Sequence, residues 1–186
     1  ERIIEIEPSN NKAYDALATI YETAGDYQKL KDLHSRRLDN TQETEERRRL
    51  LFAMIDIMER RLGRTDLAFG TACRAFAEEG ADPRAQEIAE RLAGETNDWE
   101  ILVEVLEEQA DQVAIPRAIE LRKRLAEIYR EKLDDAKEAE RQLDQVISVR
   151  PDDDGARALM ADLYRSEHRW RDLINLTLDQ IGRAHV

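Results

Sequence analysis

Ala13-Tyr14-Asp15-Ala16-Leu17-Ala18-Thr19-Ile20-Tyr21 has a counterpart of the same apolar pattern late in the chain, Ala156-Arg157-Ala158-Leu159-Met160-Ala161-Asp162-Leu163-Tyr164. Each copy follows a proline-led turn, Pro8-Ser9-Asn10 or Pro151-Asp152-Asp153, and each precedes an aromatic residue at the same offset, Tyr27 or Trp170. Apolar residues fall at positions 0, 3, 4, 7 and 8, the stripe of a helix with about 3.6 residues per turn. Moved along the chain, the template also fits Leu50, Ala53, Met54, Ile57, Met58 and Ala85, Ile88, Ala89, Leu92, Ala93. It fits once more at Leu121, Arg124, Leu125, Ile128, Tyr129, where Arg124 is the one slot that breaks the pattern. The final slots, Tyr21, Met58, Ala93, Tyr129 and Tyr164, are 37, 35, 36 and 35 residues apart. That spacing is close to the roughly 34 residues of a helix–turn–helix repeat.

A short turn and a second apolar helix follow each striped helix. The turns hold Gly25-Asp26, Gly63-Arg64-Thr65-Asp66, Gly94 to Asp98, Asp134-Asp135 and Glu167-His168. Glycine is expected to supply the left-handed C-cap, and Asp or Thr the next N-cap. The second helices are predicted at 27–38, 66–78, 99–111, 136–149 and 170–182. Leu30, Leu33, Ala68, Ala72, Ala75, Phe76, Leu102, Val105, Leu106, Ala139, Leu143, Val146, Ile147, Leu173, Leu176 and Ile181 are their core positions. Tyr27, Trp99 and Trp170 open the odd-numbered second helices and are expected to pack the turns.

These residues resemble the tetratricopeptide repeat (TPR). The resemblance is carried by Tyr14, Leu17, Tyr21, Gly25 and Tyr27, by Leu125, Tyr129, Ala139 and Pro151, and by Tyr164 and Trp170. Leu30, Leu102 and Leu173 depart from it, standing where the family has Ala, and Gly80 stands in place of a repeat-ending Pro. The departures alternate, so the underlying block is two repeats long: Tyr27 to Trp99 spans 72 residues and Trp99 to Trp170 spans 71. Such blocks look like the arrays of large bacterial scaffold proteins. The resemblance implies an all-α, right-handed α-solenoid of antiparallel helix hairpins. Its repeats would lie at about 10–40, 43–80, 83–112, 115–150 and 153–183, after a partial helix at 1–7. The whole chain then reads as one segment of a longer array.

Composition narrows the chemistry. The 186 residues include 38% charged and 41% hydrophobic residues, with seven Gly and four Pro, which suits helices that each bury one stripe and speaks against a β-sandwich or barrel. One cysteine, Cys73, rules out a disulfide scaffold, and no apolar run approaches the roughly 20 residues of a membrane helix. A single cysteine leans towards a cytoplasmic setting, and a removed leader would permit a periplasmic one. The formal charge of −12 repels polyphosphate backbones, so nucleic acid is not an expected partner. His34, His168 and His185 are scattered, Asp152-Asp153-Asp154-Gly155 lacks calcium-loop spacing, and no Gly-rich phosphate loop occurs. No catalytic residue, cofactor or metal is therefore expected. Arg47-Arg48-Arg49 follows Glu43, Glu45 and Glu46 and reads as a solvated helix start with i,i+4 pairs.

What the resemblance implies about function is protein or peptide binding along the concave wall built by the first helices. The positions opposite the stripe are Lys12, Asp15, Thr19 and Glu22; Arg49, Phe52, Asp56 and Glu59; Arg84, Glu87 and Arg91; Glu120, Lys123, Glu127 and Arg130; and Ala158, Asp162 and Arg165. Asp15 and Thr19 stand where a Lys/Asn clamp for a C-terminal carboxylate would be needed, so that ligand is not expected. Phe52 is the apolar outlier, a groove hot spot or a residue packed on Ile55. The alternatives are self-association through exposed solenoid ends (Leu173, Leu176, Ile181) and a regulatory segment of a larger enzyme.

Overall fold

The computed structural model describes residues 2–7, 10–80 and 82–184, with side chains described for 4–7, 10–80 and 82–179. The turn residues Pro8 and Ser9, the core position expected at Ile181 and the terminal His185 lie outside the described side chains. The chain divides into two compact units, Glu1–Asn97 and Asp98–Val186, a division that falls inside the third repeat expected at 83–112. The described residues form helices joined by short turns. Unit one holds α1 (Arg2–Ile6), α2 (Asn11–Ala24), α3 (Tyr27–Asn40), α4 (Thr44–Asp56), α5 (Thr65–Glu78) and α6 (Pro83–Thr96). A π-helical turn, Ile57–Arg61, extends α4. Unit two holds α7 (Trp99–Gln112), α8 (Ile115–Lys132), α9 (Ala136–Val149), α10 (Asp154–Ser166) and α11 (Trp170–Ala184).

Local chemistry sets these boundaries. Asn10, Asp26, Asp135 and Asp153 each accept a hydrogen bond from the backbone N–H three residues on, at 2.8–3.2 Å, which satisfies an otherwise orphaned donor. Gly25 and Gly63 take the left-handed conformation that ends a hairpin's first helix. Gly94 does not: α6 runs through it, and Asn97 (φ 63°) makes the turn instead. Asp134 and His168 do the same without glycine, the former because a short polar side chain tolerates this region.

In unit one, α5 packs on both α4 and α6. Its buried Ala68, Ala72 and Ala75 allow close approach, while Phe76 is fully buried. Against it lie Leu50, Leu51, Met54 and Ile55 of α4 and Ala85, Ala89, Leu92 and Ala93 of α6, all buried. The stripe on α2 is rotated from the expected one. Ala16 and Ile20 are exposed, and Tyr14 is buried with Ile4 and Leu33. Alanines at 13, 16 and 18 make several faces of α2 nearly equal in hydrophobicity, so the aromatic ring decides which one turns inward.

In unit two, Ile119, Ala126, Ala139, Leu143, Val146, Ala156, Met160 and Leu163 form one core shared by α8, α9 and α10. The template's final tyrosines reach the second helix of the preceding repeat: the Tyr129 hydroxyl donates to Glu107 (3.1 Å) and that of Tyr164 to Glu140 (2.9 Å). Burial and the adjacent carboxylate push both phenols well above their usual range, so they remain donors. Tyr27 and Trp99 are half-buried in the turns, with Arg61 and Lys132 lying over their rings at 5.1 and 5.5 Å. Trp170 differs, being 55% exposed.

Candidate protein-binding groove

The groove lies in unit one, along α4, α6 and the C-terminal end of α5. Phe52 cannot join the core, because Leu50, Leu51, Met54 and Ile55 already fill the buried side of α4. Its ring is left half-buried between two cavities. One, of about 500 Å³, is lined by Phe52, Leu51 and Ala75 with Arg47, Arg48, Glu78 and other polar residues. The second, of about 580 Å³, is lined by Phe52, Ile55, Ile88 and the charged residues Asp56, Glu59, Arg60, Arg84, Glu87 and Arg91. Both volumes fall in the range of small-molecule and side-chain pockets, about 300–1,000 Å³.

Charge pairs fix the walls. The π turn buries both Ile57 and Met58 and leaves Glu59 facing α6. There Arg91 grips it with two nitrogens at 2.8 Å, while also bonding Glu95 at 2.6 Å. The Arg91 hydrogen bond holds the Glu59 carboxyl below its usual range. Arg60 pairs with Asp56 at 3.1 Å. Arg84 is not ion-paired to any described residue; its guanidinium lies 4.5 Å over the Phe52 ring, a cation–π contact. At the other wall Arg47 holds Glu78 at 2.6 and 2.9 Å and donates to the Leu38 and Thr41 carbonyls, both at 2.9 Å. Arg47 thereby ties the end of α3, the start of α4 and the end of α5 together.

No protein-family model and no curated protein matches the chain. Among solved structures it is similar to the MamA protein, at 11% identity and a TM-score of 0.50, over 94% of this chain and 91% of that one. The putative kinesin light chain TPR-like repeats from Podosopora anserina are 16% identical at a TM-score of 0.49, over 93% of this chain and 94% of that one. The hairpins repeat every 35–37 residues, and the MamA match runs nearly end to end. The fold is TPR-like.

On this TPR-like frame the expected first-helix residues do not form a single continuous site. Phe52, Asp56, Glu59, Arg84, Glu87 and Arg91 share one cavity. Lys12, Asp15, Thr19 and Glu22 are exposed on α2 and line neither cavity. Asp15 accepts from Arg37 at 2.7 Å, Arg37 pairs with Glu46 at 2.7 Å, and Glu46 holds Arg49 at 2.8 Å, a chain of charges across α2, α3 and α4. Thr19 donates its hydroxyl to the Asp15 carbonyl at 3.0 Å.

In unit two, charges at the corresponding positions are committed locally. Lys123 meets Asp153 at 3.4 Å, Glu127 meets Arg124 at 2.8 Å, and Arg130 meets Glu131 at 2.9 Å. Asp162 pairs with Arg165, and Glu120 with Arg117 at 3.3 Å. Ala158 is exposed on α10, and the cavity beneath Glu127 and Arg130 measures only about 10 Å³.

Two features of the groove escape a reading of the sequence. Gln42, Thr44, Glu78, Glu79 and Asp82 come from loops and helix ends rather than from first-helix faces. The arginine run is also not paired at i,i+4: Arg48 and Arg49 pair at i,i+3 with Glu45 and Glu46, and Arg47 reaches residue 78. His34 is part-buried on α3, where desolvation first, and then Arg37 and Arg49, lower its pKa. Among the described residues no group of three His, Cys, Asp or Glu side chains is placed to hold a metal, and no helix is long and apolar enough to cross a membrane.

Proposed function

We propose that this chain is a non-catalytic protein-interaction scaffold that binds a partner polypeptide between α4 and α6, with Phe52 as the central anchor. The observation that carries this reading is the pair of cavities, about 500 and 580 Å³, that meet at one half-buried aromatic ring on a first helix. An aromatic side chain ringed by charged residues has the composition of an interface hot spot, whose truncation removes about 2 kcal/mol or more of binding. Affinity capture with the chain as bait tests it. Phe52→Ala is expected to lower recovery of a directly bound partner by about tenfold or more, with helicity retained because Phe52 lies outside the α4–α5–α6 core. Arg91→Glu, which opens the Glu59 side of the cleft, is expected to lower it as well. Undiminished recovery with both variants removes the groove.

A second reading has its own observation. Leu173 and Leu176, expected to be exposed for self-association, are part-buried, and it is Trp170, Ile174 and Leu178, four residues apart on α11, that are 55, 57 and 58% exposed, an apolar ladder of the kind that joins copies of a chain. Sedimentation across a concentration series is then expected to show a rising mass that Ile174→Glu abolishes. A constant monomer mass excludes it.

A further inference from the structure

We infer that the cleft selects a partner segment in which an aromatic side chain stands beside a basic one, the aromatic ring lying on the guanidinium of Arg84 and the basic group meeting Glu87. The inference rests on the groove reading above and adds the chemistry of the occupant. A guanidinium is a plane with two faces. The guanidinium carbon of Arg84 lies 4.5 Å over the Phe52 ring, the residue as a whole is exposed, and both line the same cavity, which leaves the group accessible to a second ring from the cleft. Guanidinium groups stack on aromatic rings more readily than ammonium groups do, being planar and weakly hydrated. A second ring would complete a ring–guanidinium–ring stack, with Phe52 holding Arg84 in place beforehand so that little side-chain freedom is lost on binding.

The neighbouring charges decide what accompanies the ring. Arg60, Arg91, Arg47 and Arg48 are each held by a carboxylate, whereas Glu87 on α6 is ion-paired to no described residue. Glu87 lies three positions beyond Arg84, hence on the same side of the helix. An acidic partner residue at Arg84 would sit close to Glu87 and to Asp82, whose carboxylate caps α6 by accepting the Arg84 N–H at 2.9 Å. It would also approach a chain of formal charge −12. A lysine or arginine on the partner instead gains an unneutralised carboxylate and is drawn in by the net field.

The test titrates the isotope-labelled 186-residue chain with the blocked hexapeptide acetyl-Gly-Ser-Phe-Lys-Ser-Gly-amide, following backbone signals and the Arg84 Nε–H signal by NMR. The peptide is expected to shift signals of α4 and α6 around Phe52, Arg84 and Glu87. Replacing its Phe by Leu should weaken binding about fivefold, the worth of a partly desolvated cation–π contact. Replacing its Lys by Glu should weaken it about tenfold. Arg84→Met should erase the preference for Phe over Leu, and Glu87→Gln the preference for Lys over Glu, with helicity unchanged in both. If the Leu or Glu peptide binds α4 and α6 as tightly as the parent, the chemistry assigned to Arg84 and Glu87 is wrong while the groove stands. Shifts that map elsewhere, or none at millimolar peptide, overturn the inference, and partner capture with Phe52→Ala then judges the groove separately.

Discussion

Phe76→Ala is expected to cost about 3–5 kcal/mol of unfolding free energy, the range for deleting a fully buried aromatic side chain. The size follows from what surrounds position 76. Phe76 is completely buried on α5, a helix packed on α4 and α6 whose other buried residues are Phe69, Cys73 and the small Ala68, Ala72 and Ala75. Alanine has no rotatable side chain to swing into the void, so the cavity persists and its walls lose their contacts. With 186 residues, such a loss is a large share of the total stability of either unit. Leu67→Ala on the same helix is the control. Leu67 is 42% exposed and leucine and alanine have similar helix propensity, so that change should stay within about 1 kcal/mol. Urea unfolding followed by circular dichroism distinguishes the two. A Phe76→Ala midpoint no lower than that of Leu67→Ala would mean that the α4–α5–α6 core is not packed as described.

The helices were legible because their limits are written locally. Asp26 and Asp135 mark the first residue of α3 and α9 by bonding to N–H groups three positions on, so the predicted starts at 27 and 136 coincide with the observed ones. The 136–149 helix agrees at both ends. What the chain hides is set by partners distant in sequence or by competition among equals. Which side of α2 is buried depends on Tyr14 outcompeting a scatter of alanines, and no periodicity settles that. The first-helix face was legible as a surface but not as a site. Lys123 and Phe52 occupy comparable positions by pattern, yet one is held by Asp153 at a helix start and the other borders two cavities. Arg84 over Phe52 joins residues 32 positions apart, and Arg47 to Glu78 joins residues 31 apart. Charge patterning within one helix carries no signal for either pair.

Arg47→Met is expected to lower stability by about 2–4 kcal/mol, although it keeps the aliphatic stem and swaps one good helix former for another. The loss comes from four hydrogen bonds made at once. Two go to Glu78, and two go to the carbonyls of Leu38 and Thr41, which become unsatisfied in a part-buried setting. Glu78 keeps one partner, Arg74 at 3.0 Å, which limits the damage on that side. The same contact makes stability depend on pH. The Arg47 hydrogen bond, then that of Arg74, lowers the Glu78 pKa below its ordinary value despite an opposing contribution from burial. A carboxyl whose folded pKa is depressed binds protons more readily in the unfolded chain. Its contribution is therefore complete above the unfolded pKa, near 4.3 for Glu, and is lost as pH falls through the lower folded value. Wild-type stability should thus decline on acidification below about pH 5, and the Arg47→Met variant should decline less steeply over that interval because its Glu78 is less depressed. Parallel acid profiles for the two proteins, or a neutral-pH loss under about 0.5 kcal/mol, would show that Arg47 is an ordinary surface charge rather than the tie between α3, α4 and α5.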